Sequence, residues 1–156
     1  MGRMYTATFS AVAVTAQQDL FEIVAPSDAV VILHGLYLSQ SSDVGDAAEE
    51  LLQVAIKSGA TTSGSGGSAV TPAPLALGDA AFGGTVEANN TTKASTGTIV
   101  THHKESFNIR TGLAYVPTPE ARKVLSPSAR LTVELMTTPG DSLTMDGTIV
   151  FEEIGG

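Results

Sequence analysis

The residues best suited to chemistry are the histidines, two of which are adjacent at His102 and His103. Imidazole nitrogens bind metals and transfer protons, so an adjacent pair is a natural candidate for a metal site. Neighbouring side chains of a β-strand point to opposite faces, however, and cannot both bind one ion unless the strand bends. We therefore predict no metal site in the monomer and expect His103 to be a satisfied interior or interface group. A trimer axis that gathers one histidine from each copy is the alternative.

Two further groups have residue types that catalysis uses. His34 lies in an apolar stretch, and no serine in a nucleophile-elbow context accompanies it, so we expect a hydrogen-bonded core histidine. Glu152 and Glu153 resemble a carboxylate pair for acid–base work, but adjacent residues diverge on a strand. A charged strand end that discourages edge pairing is the favoured interpretation. The sequence therefore predicts no catalytic site, no enzyme activity and no cofactor.

Two loop-like segments suggest ion or phosphate binding only weakly. The densest acidic group is Asp43, Asp46, Glu49 and Glu50, whose oxygens suit calcium but whose spacing matches no calcium-loop signature. We expect a solvated turn there, with at most one turn of helix. The run Gly64-Ser65-Gly66-Gly67 is followed by neither Gly-Lys-Ser/Thr nor a helix, so a flexible loop is favoured over a phosphate site.

Charge and composition exclude several classes of partner. The net charge is −8, and the basic residues are scattered, with only Arg122 and Lys123 adjacent, so neither nucleic acid nor an anionic membrane is expected to bind. There are no cysteines, which removes disulfides and thiolate sites. The first residues form no signal peptide, and no apolar run is long enough to span a bilayer. We expect a soluble protein.

The hydrophobic pattern is that of an all-β protein. Apolar and polar residues alternate over Leu52–Ile56, Leu131–Leu135 and Leu143–Phe151, as in half-buried strands. The alternation in the first strand changes phase near Ser10, which predicts a bulge or bend. Val30–Leu38 is apolar on both faces, as in a central strand. About eight or nine strands without helical crossovers predict one domain, an antiparallel β-sandwich of jelly-roll type, with an open β-barrel as the rival.

The segment from about 59 to 97 is too long for an ordinary connection. It begins with glycine and serine residues that are typical of a flexible stretch, and then becomes apolar. We expect an ordered loop or arm that packs on its own domain or on a neighbouring subunit. Its candidate partner-binding residues are Pro72, Pro74, Leu75, Leu77, Phe82 and Val86.

Three segments resemble the small structural proteins of tailed bacteriophages. They are Tyr5–Ser10, Arg130–Leu135 and Asp141–Gly155, and the nearest match in character is the jelly-roll head decoration, or cement, protein. The resemblance implies a homotrimer on the outer capsid surface of the virion, made in the host cytoplasm and bound to the major capsid protein. It also implies that the 59–97 arm reaches a neighbour.

Two alternatives belong to other classes of protein. One is a carbohydrate- or receptor-binding jelly roll of a phage fibre or tail, although sugar sites usually present exposed aromatic rings and the chain has no tryptophan. The other is a cupin-like enzyme, which needs a metal held by histidine and carboxylate ligands. The sequence has no such spacing.

Overall fold

A computed structural model describes residues 2–41 and 49–156. Strands dominate these residues, and a single 3₁₀ turn at Pro119–Ala121 is their only helical element. In chain order the strands are β1 (Arg3–Val14), β2 (Gln18–Val24), β3 (Ala29–Gln40), β4 (Leu51–Ser58), β5 (Ser68–Val70), β6 (Ala73–Pro74), β7 (Thr85–Asn90), β8 (Val100–Asn108), β9 (Leu113–Tyr115), β10 (Val124–Leu125), β11 (Arg130–Leu135) and β12 (Leu143–Gly155).

The strands form two antiparallel sheets. Sheet A has the order β10-β3-β12-β1-β6, with β9 also paired to β3, and sheet B has the order β5-β7-β2-β11-β4-β8. The pairing is nested, because β1 pairs with β12, β2 with β11, β3 with β9 and β10, and β4 with β8. A long hairpin rolled into two facing sheets in this way is a jelly roll. The predicted fold class is therefore confirmed.

Alternation explains how the sheets make a common core. In β12 every second residue from Leu143 to Glu153 is buried, and the residues between them face outward. The predicted change of phase in β1 is confirmed, since its register with β12 shifts between Phe9 and Val12. Ala11 lies within this shift and has a φ of 53°. Its backbone nitrogen donates to the Asp146 carboxylate at 2.8 Å. The bulge returns Val14 to the core side of the strand.

The described residues contain twelve strands rather than about eight or nine, largely because the 59–97 segment contains three of them. β5 and β7 extend sheet B beside β2, whereas β6 extends sheet A beside β1. These strands are only two to six residues long, too short for alternation to be read from the sequence. The segment is an insertion that widens both sheets of its own domain.

The two ends of the same insertion fold over the outer surface of sheet B. Residues 60–67 and 91–97 pair through the bridges Thr62–Ser95 and Ser65–Thr92, and we call these two segments the flap. Four backbone hydrogen bonds of 2.9 to 3.1 Å join the bridged residues. The glycine- and serine-rich stretch therefore has regular partners within the domain.

Candidate assembly surface

The outer face of sheet B carries a buried layer of charged side chains beneath the flap. Glu22 of β2 is 2% exposed, and its carboxylate accepts hydrogen bonds from Ser63 and Gly64 of the flap at 2.6 and 2.9 Å. The Arg130 side chain of β11 donates to Glu22 at 2.7 Å and also to the Ala60 carbonyl at 3.0 Å. Buried charges are tolerated when they are paired and hydrogen-bonded. This part of the face is consequently occupied by the chain itself.

Two more carboxylates complete the charged layer. Glu134 lies between Lys57 and Lys93, at 2.5 and 2.9 Å. Burial alone would raise the pKa of Glu134, but hydrogen bonds from the two lysines outweigh that effect and hold the pKa below its usual value. Burial raises the pKa of Asp19 to about 6, although the Ala94 backbone nitrogen donates to its carboxylate at 2.7 Å. Of the three carboxylates in this layer, Asp19 is therefore the one whose burial is least well compensated by hydrogen bonds and positive charges.

The outer face of sheet A differs, because apolar residues follow one another across its strands. Met4 of β1 is paired with Glu152 of β12, Glu152 with Ile32 of β3, and Ile32 with Val124 of β10. Beyond Met4, the Leu75 nitrogen donates to the Met4 carbonyl at 2.8 Å. The neighbouring row pairs Ile154 with Val30. We call the following six residues the apolar face: Met4, Val30, Ile32, Leu75, Val124 and Ile154.

Solvent reaches much of the apolar face. Leu75 is 58% exposed, Val124 is 49% and Ile154 is 44%, whereas Met4, Val30 and Ile32 are half-buried. Leu77, just past Leu75, is 94% exposed. Isolated exposed apolar residues are common, but a contiguous group on one sheet face indicates a contact surface.

A carboxylate in the middle of the apolar face has hydrogen-bond partners within the chain. Glu152 accepts hydrogen bonds from the Gly2 nitrogen at 2.8 Å and pairs with His34 Nε2 at 2.9 Å. These contacts outweigh burial and lower the pKa of Glu152. His34 is hydrogen-bonded as predicted, but it lies on the outer face of sheet A rather than in the core. The reason is a register shift between β3 and β12 beside it.

Glu153 points to the opposite side of the same strand. It is 2% exposed and pairs with Arg3 at 2.7 Å. The two glutamates therefore diverge, as expected of neighbours on a strand. Their interpretation as a guard against edge pairing was wrong, since β12 lies between β1 and β3 and has no free edge.

The six residues predicted to bind a partner fall into two groups. Phe82 packs against Tyr5 and Phe151, with ring centroids 5.5 and 4.9 Å away, and Val86 is 2% exposed in the core. These two residues hold the insertion on its own domain and are not available to a partner. The other four lie nearer the surface, with Pro72 and Pro74 half-buried and Leu75 and Leu77 exposed.

The adjacent histidines lie at a bulge that the sequence did not reveal. Ile56 of β4 pairs with His103, and Lys57 with Thr101, so that His102 is the additional residue. His102 Nε2 lies 2.7 Å from Ser58 Oγ, while the His103 ring lies 4.2 Å from that of Tyr115. Ile99, just before the start of β8, is exposed.

Ion-binding candidates find little support. No group of three or more histidine, aspartate or glutamate side chains is arranged to hold a metal ion within residues 2–41 and 49–156. Two members of the acidic group, Asp43 and Asp46, and most of the possible helical turn lie outside the described residues. Of the other two, Glu49 is exposed and Glu50 accepts a hydrogen bond from the Gly140 nitrogen at 2.7 Å.

Comparison with known protein families, curated proteins and solved structures gave no match for this chain. In the part of the chain that the structure describes, no helix has the length and apolar character needed to cross a membrane. The fold and the surfaces described above are therefore the basis for a functional proposal.

Proposed function

We propose that this chain is a structural protein that works by assembly, as a decoration protein on the head of a tailed bacteriophage. The observation that carries the proposal is the contrast between the two outer faces of the sandwich. The flap covers the β2 and β11 part of the outer face of sheet B with polar contacts, whereas exposed leucine, isoleucine and valine side chains lie close together on sheet A. Such a division suits a protein that presents one face to a partner.

The exposed turn after β6 extends this surface. Leu75 lies next to β1 at the edge of sheet A, and Leu77 follows it in the turn. Tyr5 holds the turn by donating its hydroxyl hydrogen to the Ala80 carbonyl at 2.8 Å. An apolar tip that its own domain anchors loses little conformational entropy on binding. In the proposal, the tip contacts a second copy of the chain in a trimer, and the trimer binds the major capsid protein. The net charge of −8 disfavours nonspecific aggregation.

The first experiment measures the oligomeric state by sedimentation velocity. The wild-type chain is expected to sediment as a trimer, and the double variant Leu75→Ser/Leu77→Ser as a smaller species. Ile154→Glu, which places a charge on the apolar face, is expected to weaken assembly or capsid binding. The matched control is Leu51→Ser, because Leu51 is 72% exposed at the start of β4 in sheet B. This control should assemble like the wild type.

The second experiment measures binding to capsids produced by the phage genome that encodes the chain. Cosedimentation of the wild type and of Leu51→Ser, but not of Ile154→Glu, is the expected result. A wild-type chain that is monomeric and also fails to bind these capsids would overturn the proposal.

A further inference from the structure

A cleft of about 510 Å³ opens between the edges of the two sheets. Val124 of the apolar face is among its lining residues, but Leu75, Leu77 and Ile154, the residues changed to test assembly, are not. Its walls come from β8 of sheet B, from β9 of sheet A and from the segment between the 3₁₀ turn and β10. The side chains that matter here are His102, His103, Tyr115, Arg122 and Lys123. The fold thus brings together the adjacent histidines and the adjacent cations, two pairs that are almost twenty residues apart in the sequence.

The cations of this cleft lack the carboxylate partners that four other cations of the chain have. Arg3, Lys57, Lys93 and Arg130 each form an ion pair with a carboxylate. Among residues 2–41 and 49–156, neither Arg122 nor Lys123 takes part in an ion pair, and the buried Arg122 Nε has no hydrogen-bond acceptor. In a chain with sixteen acidic residues and eight basic ones, two adjacent unpaired cations in a cleft are unexpected. Two cations without counter-charges in the wall of one cleft provide charge-assisted donors for an anionic ligand.

The rest of the lining suits a small ligand with one negative charge. Burial, and then the charge of Lys123, lower the pKa of His102, which favours the neutral form of its ring. The His103 and Tyr115 rings pack together with their centroids 4.2 Å apart and their planes tilted by 35°, and form an aromatic wall. Glu120 is the carboxylate among the lining residues; it is exposed and is not ion-paired with either cation.

We propose that this cleft binds a small carboxylate-bearing molecule. The guanidinium of Arg122 takes the carboxylate oxygens, Lys123 adds the second positive charge, and the body of the ligand lies against the His103 and Tyr115 rings. A planar carboxylate matches the fork geometry of arginine. A doubly charged phosphate fits less well, because Glu120 offsets part of the positive charge of the two cations.

The test is a titration of ¹⁵N-labelled full-length protein followed by amide chemical shifts. The probes are sodium glucuronate, glucose and sodium acetate at constant ionic strength. Glucuronate and glucose share the sugar ring and differ in the carboxylate. We expect glucuronate to give saturable shifts confined to residues around 100–103 and 115–124, with a dissociation constant of about 1 mM or lower. Glucose should give none, and acetate should shift the same amides at higher concentration.

Variants decide whether the shifts report this cleft. Arg122→Gln is expected to weaken glucuronate binding about tenfold or more, and Lys123→Gln provides a second variant should the first be poorly folded. Lys104→Gln is the matched control, since Lys104 lies on β8 next to His103 but does not line the cleft. Its affinity should equal that of the wild type. The proposal fails if glucose binds as well as glucuronate, if shifts are absent or scattered over the surface, or if Lys104→Gln loses as much affinity as Arg122→Gln.

Discussion

The Glu22 carboxylate of β2 lies 2.9 Å from the backbone nitrogen of Gly64 in the flap, although 42 positions separate the two residues in the sequence. The same side chain also accepts hydrogen bonds from Ser63, Asn90 and Arg130. One buried carboxylate therefore joins the flap, the end of β7 and the start of β11. The order of a glycine-rich segment depends here on a charge in a distant strand.

Glu22→Gln is expected to destabilise the domain and loosen the flap. The amide nitrogen of glutamine cannot accept the hydrogen bonds that the carboxylate oxygens receive, and Arg130 loses its buried counter-charge. Removing one partner of a buried ion pair typically costs about 3–5 kcal/mol, so we expect a loss of about 2–4 kcal/mol, since part of the hydrogen bonding remains. Urea unfolding measures the loss, and hydrogen exchange of residues 60–67 measures the loosening.

The control for this variant is Ser63→Ala, which removes only the hydroxyl donor to Glu22. Its expected cost is about 1 kcal/mol. Unchanged unfolding and unchanged exchange of the flap amides in Glu22→Gln would contradict the proposed dependence.

Much of the fold could be predicted from local pattern. Strands with one buried face show alternation, and a change of its phase indicates a bulge, as at Ala11. His102 is the contrasting case. Its bulge lies in a polar strand, where few apolar residues mark the phase. The position of this bulge depends on the pairing of β8 with β4, which cannot be read from the sequence of β8 alone.

The flap and the cleft could not be predicted for a related reason. A composition rich in glycine and serine indicates a flexible segment unless other residues hold it in place. In this chain, Glu22 of β2 holds one half of the flap through Gly64, and Asp19 of β2 holds the other half through Ala94. A usable signal was the presence of acidic residues inside apolar strands, since buried carboxylates need donors from elsewhere. The cleft depends on how β8 and β10 meet, which is a property of the packed sheets.

Asp19→Asn is expected to stabilise the protein at pH 8 and to change little at pH 4. The folded-state pKa of Asp19 is about 6, above the usual aspartate value of 3.8. Between these values the folded state holds a proton that the unfolded state has released, so the contribution of Asp19 to stability falls as pH rises and stays low above about 6. Asparagine carries no charge and avoids this loss. Urea unfolding at both pH values should show a gain of about 1–3 kcal/mol at pH 8.

Asp28→Asn is the control, because Asp28 is exposed. It removes the same charge without removing a buried carboxylate and should show little difference between the two pH values. Equal effects of both substitutions at pH 8 would indicate that net charge, rather than burial of Asp19, is responsible.

Ala11→Gly is expected to stabilise the bulge in β1. Ala11 has a φ of 53°, in the left-handed region that costs residues with a Cβ about 1–2 kcal/mol, and glycine avoids this cost. After the extra entropy of glycine in the unfolded chain, we expect a net gain of about 0.5–1 kcal/mol. Ala13→Gly in the regular part of the strand should instead lose about 0.5–1 kcal/mol. Thermal unfolding measures both, and shifts of the same sign would contradict the assignment of strain to Ala11.

Phe82→Ala and Leu77→Ala separate the part of the insertion that stabilises the domain from the part that is free to contact a partner. Phe82 packs against Tyr5 and Phe151, so its truncation is expected to cost about 2–4 kcal/mol of unfolding free energy. Leu77 is 94% exposed, and its truncation should change the unfolding free energy of the monomer by less than about 0.5 kcal/mol. Urea unfolding at low protein concentration, where assembly does not contribute, makes the comparison. Similar losses in the two variants would mean that the tip of the insertion packs on its own domain, and the assembly proposal would then lose its exposed contact.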